Sequence, residues 1–296
     1  MKDFEYLEPA TVSEACELLK RYGGEARVYA GGAYLSIVMK QGFLQPRALV
    51  NIKKIADLKG IHLDPGQGFT IGALVTHREL EISKLIQEKL AVLSEAEKEV
   101  ANIRVRNVGT VGGNLASGEP LTDLPPIFIA LDARLRISGP SGDRIIPAEE
   151  LFVDYYQTGL AEDEILTHVL IPPLPARTGI GYVRFSSSSA LDKPCIGVAV
   201  RISLETTGER CKTVRIALGC VAPTPIRARK AEELLAGNEL RPDLVEEASV
   251  SAGRECDPLS DLRGSEVYKR AMVRVLVKRA LLQAYERALA PIQTIV

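Results

Sequence analysis

Apolar residues early in the chain recur every three or four positions. Ala15, Leu18, Leu19 and Tyr22 line one side of a helix, which Thr11 and Glu14 open as a capping box and Gly23-Gly24 ends. Residues 27–30 and 48–52 are short apolar runs that predict strands, and residues 35–40 between them predict a helix. This strand–helix–strand alternation indicates a small α/β layer. Residues 68–75 read as a strand leading into a second capping box, Thr76 to Glu79, and helix-forming sequence then continues to about residue 103. Between residues 104 and 123, Gly109, Gly112, Gly113, Gly118 and Pro120 exclude a continuous helix. Alternation over residues 133–137, with a turn at 138–143, predicts a hairpin, and residues 164–171 predict a strand closed by Pro172, Pro173 and Pro175.

That proline cluster is the expected domain boundary. Beyond it the pattern predicts strands near residues 181–185, 196–205 and 213–221, then helices over 227–236, 242–253 and 265–289. In the last helix Ala271, Val275, Leu282 and Leu289 form the expected core-facing stripe. Its charged residues leave open whether it packs internally or meets a partner. Tyr155-Tyr156 is expected to pack or to cap a strand, and residues 227–230 to form a solvated helix start.

Composition narrows the function. The 296 residues hold 37 Lys plus Arg against 38 Asp plus Glu, so no positive excess is available to neutralise nucleic-acid phosphates. No apolar run approaches the roughly 20 residues needed to cross a bilayer. The first residues lack an apolar signal core, so a cytoplasmic location is expected. Cys16, Cys195, Cys211, Cys220 and Cys256 form no C-x-x-C pair, and His62, His77 and His168 are widely separated. Neither a disulfide framework nor a protein-held metal is expected.

The chemistry concentrates in two glycine-rich loops. The first is Val28, Tyr29, Ala30, Gly31, Gly32, Ala33, Tyr34 and Leu35, a strand that ends on two glycines and opens a helix. Backbone amides there can approach an anion closely, although a tight strand-to-helix turn would need the same residues. The run lacks both the Rossmann and the P-loop spacing. The second loop carries Thr110, Val111, Gly112, Gly113 and Asn114, and continues to Asp123, a carboxylate able to hold sugar or polyol hydroxyls. Two such loops can clamp a diphosphate from both sides, and a structural Ω-like loop is the alternative for the second.

The full second-loop pattern, R-N-x-G-T-V-G-G-N-L-A followed by E-P-x-T-D-L-P-P, closely resembles the FAD-binding medium subunit of the molybdenum hydroxylases. These are the carbon monoxide dehydrogenase and xanthine dehydrogenase relatives. The upstream A-G-G and the opening D-F-E-Y-L-x-P-x-T-x-x-E-A match too, so the resemblance spans essentially the whole chain. It implies an α+β fold: a two-lobed FAD-binding unit of the vanillyl-alcohol-oxidase (PCMH) type, plus a C-terminal domain of a small antiparallel sheet and helices. The corresponding divisions are residues 1–57, 58–176 and 177–296.

By resemblance, residues 28–35 hold the FAD pyrophosphate, residues 110–114 form the second pyrophosphate and flavin loop, and Asp123 binds cofactor hydroxyls. Leu166 matches an apolar contact to the flavin, and Arg184 falls where relatives often carry a lysine near it. Asp192 and Lys193 match a segment laid towards the isoalloxazine. Three departures stand out: Ala33-Tyr34 replaces a commonly polar pair, four serines (Ser186 to Ser189) replace a usual arginine, and the cysteine-rich insertion of benzoyl-CoA-type subunits is missing.

The resemblance further implies that substrate is oxidised at a molybdopterin cofactor on a large subunit. Electrons then cross two iron–sulfur (2Fe-2S) clusters on a small subunit, and FAD here passes them to NAD, a quinone or another acceptor. The implied assembly is a dimer of heterotrimers. The sequence shows no catalytic triad or acid–base dyad, in keeping with a role in which the flavin supplies the chemistry. A stand-alone flavin oxidoreductase of the same fold is the alternative, for which His77 is the nearby candidate for a covalent flavin link or proton donor.

Overall fold

The computed structural model describes residues 3–187 and 193–290. The N-terminal unit comprises β1 (Glu5–Leu7), α1 (Val12–Tyr22), β2 (Ala26–Tyr29), α2 (Leu35–Lys40) and β3 (Ala48–Asn51). Its strands form a parallel sheet in the order β1-β3-β2. Thr11 Oγ1 accepts the Glu14 amide at 3.1 Å to start α1, and Gly23, at φ 51°, closes it in the left-handed conformation. Every residue of the central strand β3 is buried, as a strand covered on both faces requires.

The second unit begins with β4 (Ile61–Asp64) and β5 (Gly68–Gly72), then six short helices. These are α3 (His77–Ile82), α4 (Lys84–Lys89), α5 (Ala91–Glu99), α6 (Ile103–Arg106), α7 (Val111–Ala116) and α8 (Leu124–Ala130). The hairpin β6 (Arg134–Gly139) and β7 (Gly142–Pro147), a small pair β8 (Phe152–Asp154) and β9 (Gln157–Thr158), and β10 (Ile165–Ile171) complete it. The sheet is antiparallel in the order β4-β5-β10-β6-β7. The near-continuous helix expected up to residue 103 is instead broken at Ser83, Leu90 and Val100. Leu80, Ile86 and Leu93 all enter one core. On a straight helix Leu80 and Ile86 would point about 120° apart, so the chain must turn to bury both. Ser83 makes one turn possible by ending α3 and accepting the Ile86 amide to start α4.

The C-terminal unit carries β11 (Thr178–Phe185), β12 (Ile196–Leu204), β13 (Cys211–Gly219) and β14 (Ile226–Arg227) in one antiparallel sheet. It is followed by α9 (Arg229–Leu235), α10 (Pro242–Glu255) and α11 (Glu266–Leu289). All nine residues of β12 are buried, because α11 packs against this strand and α8 of the second unit packs there too. The expected stripe on α11 is the wrong face. Val275, Leu282 and Leu289 are 41%, 44% and 48% exposed, whereas Val273, Leu276, Val277, Ala280, Leu281, Ala284 and Ala288 are buried. Small residues decide the matter: a Cβ at Gly179 would lie 2.0 Å from the Ala284 carbonyl oxygen, and one at Gly181 2.6 Å from that of Ala280. Backbone meets backbone at this contact, so the alanine face goes inward. No helix among the described residues is long and apolar enough to cross a membrane.

Candidate functional site

The first glycine loop leaves β2 and enters α2 with its backbone donors unspent. Among the described residues, the amides of Gly31, Gly32, Ala33, Tyr34 and Leu35 donate to no carbonyl or side chain. Five consecutive N–H groups without a protein acceptor among the described residues give this turn donors for an anion with no need of cationic side chains. Gly32 sits at φ 73°, and a Cβ there would fall 2.5 Å from the Tyr29 ring. Val28 and Ala30 pack on the core of the N-terminal unit, and Lys53 Nζ lies 4.4 Å from the centre of the Tyr29 ring.

The two loops touch. A Cβ on Gly31 would lie 1.8 Å from the Val108 carbonyl oxygen and 3.0 Å from Gly109 Cα. Their approach is one that only glycine permits.

The second loop is built differently from the first. Val111 and Gly112 donate their amides to the carbonyls of Val75 and Ala73, both at 2.9 Å. Gly113 N–H donates to Thr110 Oγ1 at 3.1 Å and Asn114 N–H to the Thr110 carbonyl at 2.8 Å. Residues 111–116 form the short helix α7, so the amides of residues 111–114 are spent inside the protein, unlike those of residues 31–35. Gly112 serves packing, since a Cβ there would lie 2.6 Å from Ala73 Cβ. What the second segment offers a ligand is a side chain. Asn114 Oδ1 is buried and without a hydrogen-bond partner among the described residues.

Buried ion pairs hold this segment from behind. Arg106 donates Nε to Glu81 at 2.9 Å and a second nitrogen to the carbonyls of Val100 and Ala101. The His77 amide donates to the Gly109 carbonyl at 3.0 Å, and its Nδ1 lies 2.9 Å from buried Glu97. Burial by itself would lower the His77 pKa, but the adjacent Glu97 carboxylate outweighs it and the value is raised. Burial raises the Glu97 pKa against the pull of His77.

Asp123 is brought against the C-terminal sheet. Its Oδ1 accepts from Tyr182 Oη at 2.6 Å and from Arg184 Nε at 3.0 Å. Burial raises its pKa despite both donors. Lys193 pairs with buried Glu119 at 2.5 Å. Tyr156 Oη donates to the other Glu119 oxygen at 3.4 Å, and its ring stacks on Tyr34 with centroids 6.4 Å apart. Leu166 lies buried in β10, on which α7 packs. Asp192, Ser188 and Ser189 lie outside the described residues.

Glu119 and Tyr182 are additions to the residues expected from sequence, and Tyr156, expected to pack or to cap a strand, stacks on Tyr34 and reaches Glu119. Glu119 stands inside the quoted motif and was legible there. Tyr156 sits at φ 57°, a backbone state without a composition signal, and Tyr182 was hidden in a strand pattern.

The groups present fit a dinucleotide cofactor: a run of open amides as donors to its diphosphate, and a buried amide oxygen and a carboxylate as acceptors for its N–H and hydroxyl groups. Known proteins place this fit. Residues 2–174 match the FAD binding domain in molybdopterin dehydrogenase, and residues 182–284 match the CO dehydrogenase flavoprotein C-terminal domain. The carbon monoxide dehydrogenase medium chain of Hydrogenophaga pseudoflava is 37% identical over 96% of this chain and 98% of its own length. The nicotine 6-hydroxylase medium subunit of Paenarthrobacter nicotinovorans is 33% identical over 95% of this chain and 97% of its own. Among solved structures, carbon monoxide dehydrogenase from Hydrogenophaga pseudoflava, lacking the Mo-pyranopterin moiety of its cofactor, superposes with a TM-score of 0.93. It is 38% identical, covering 97% of this chain and 98% of that one. Quinoline 2-oxidoreductase from Pseudomonas putida 86 superposes with a TM-score of 0.89 at 28% identity, covering 97% of this chain and 99% of that one. The chain belongs to the FAD-binding medium subunits of the molybdenum hydroxylase family, the flavoprotein components of these oxidoreductases.

Proposed function

We propose that this subunit receives electrons from the iron–sulfur clusters of a small partner subunit and delivers them from its FAD to NAD, a quinone or another acceptor. The primary oxidation takes place on a molybdopterin-binding large subunit. The three chains assemble as a dimer of heterotrimers in the cytoplasm, with residues 1–57 and 58–176 as cofactor lobes and 177–296 as the closing domain. The observation that carries this reading is the contact of Gly31 with residues 108–109, which joins the free amides of the first loop to the second segment.

Bound FAD supplies a centre that takes up two electrons singly and returns them singly or as a pair. The chain positions and tunes it. The amides of residues 31–35 hold the diphosphate with dipoles fixed before binding, so little reorganisation accompanies it. Asn114 Oδ1 accepts a cofactor donor, and Asp123 binds a cofactor hydroxyl. Arg184 and Lys193, both held by carboxylates, keep fixed positive charge on the side of the C-terminal unit. Leu166 supplies an apolar wall.

Purification of the native complex tests the whole assignment. Flavin, molybdenum and iron together with two co-eluting chains are expected. A chain that purifies alone and turns over an organic substrate would establish the stand-alone flavoenzyme instead.

A further inference from the structure

Most helix starts in this chain spend a side-chain oxygen on their own amides. Thr11, Thr76, Ser83, Asn102, Thr110 and Ser265 all do so. Asp123 precedes α8 and makes no such bond. Pro125 and Pro126 occupy the second and third helical positions and have no N–H to offer, so the carboxylate is released for tertiary work. The C-terminal sheet claims one half of it: Tyr182 and Arg184 both donate to Oδ1, and Oδ2 has no partner among the described residues.

Two glycines shape the contact. Gly219 lets α8 lie flush on the sheet, since a Cβ there would approach Pro126 Cγ to 3.0 Å. Gly197 makes room for the phenol, because a Cβ there would stand 2.8 Å from Tyr182 Oη. The hydroxyl is therefore seated from one side by the absence of a side chain and held from the other by the carboxylate.

We propose that Tyr182 is a positioning residue for the cofactor: by holding Asp123 Oδ1 it fixes the carboxylate with Oδ2 presented to a hydroxyl of FAD, so the C-terminal sheet completes the cofactor site. The proposal rests on Asp123 as a cofactor ligand. A buried carboxylate that loses one of two donors on the same oxygen is free to turn towards the remaining one, and its other oxygen turns with it.

The test uses the full-length chain stripped of flavin and titrated with FAD, followed by flavin absorbance and fluorescence, with thermal unfolding of each flavin-free variant recorded alongside. Tyr182→Phe is expected to weaken FAD binding about tenfold, the scale of one hydrogen bond to a charged group. Asp123→Asn is expected to weaken it at least as much. The double variant is expected to bind no worse than Asp123→Asn, because both changes remove one interaction. Losses that simply add would make Tyr182 a scaffold residue and overturn the proposal. Unchanged binding in Tyr182→Phe, with a loss in Asp123→Asn, overturns it too and leaves Asp123 as ligand. Unchanged binding in Asp123→Asn removes Asp123 from the cofactor and the proposal with it. Should Tyr182→Phe not fold, Gly197→Ala presses on the same hydroxyl and carries the same expected loss, and unaltered FAD affinity there sinks the idea.

Discussion

Single residues in this protein act mainly through backbone proximity and buried charge. Gly31 has no room for any side chain, since its Cβ position already falls on the Val108 carbonyl. Gly31→Ala is expected to separate the loops, cost about 2 kcal/mol or more of stability, and abolish FAD retention. Thermal unfolding and the flavin absorbance of the purified protein check both. The His77–Glu97 pair makes a pH prediction. His77 has a folded pKa above the ordinary histidine value of 6.5, so the folded chain binds more protons than the unfolded one just above that pH. Glu97, raised by burial, acts in the same direction from above the ordinary 4.5. The stabilisation from His77 is complete below pH 6.5 and is lost as pH rises through its raised value. Urea midpoints measured across this interval should fall with pH in the parent chain, and His77→Gln should flatten that part of the slope. The capping boxes and the glycine motif were legible at this scale because each is local. The partner of His77 was not, since Glu97 is twenty residues away on another helix.

At the scale of elements, α11 shows what periodicity can and cannot decide. The stripe of Ala271, Val275, Leu282 and Leu289 is real, but spacings of four and seven also describe a face left in solvent. The inward face is the one whose alanines accept the glycines of β11. Ala284→Leu is expected to cost about 1–3 kcal/mol by forcing helix and sheet apart, while Leu282→Lys should stay within about 0.5 kcal/mol. Denaturant unfolding of the two variants separates the assignments: if Leu282→Lys is the damaging one, the packing is wrong. The broken helix between residues 77 and 106 teaches the same lesson from the other side. Propensity favoured continuity, but the core required Leu80, Ile86 and Leu93 to converge.

For the whole molecule, the arrangement is a region matching an FAD binding domain, against which the C-terminal sheet carries Tyr182 and Arg184 onto Asp123. Electron relay from a partner predicts that the isolated chain retains FAD and shows the visible flavin bands, yet oxidises no organic substrate until large and small subunits are restored. Activity of the isolated chain on such a substrate would contradict the relay. The two glycine segments and most element positions were readable along the chain, because turn chemistry and caps are encoded over short distances, and the α+β class and the FAD cofactor followed from the resemblance that the twenty-residue motif carries. Packing across the fold settled what spacing left open: the amides of residues 111–114 are spent inside the protein while those of residues 31–35 are not, Asp123 is held by a strand some sixty residues later, and the alanine face of α11 goes inward. Those outcomes depend on which backbone carbonyls and small residues are brought together across the fold. Spacing along the chain carries no information about such encounters until packing has selected among them.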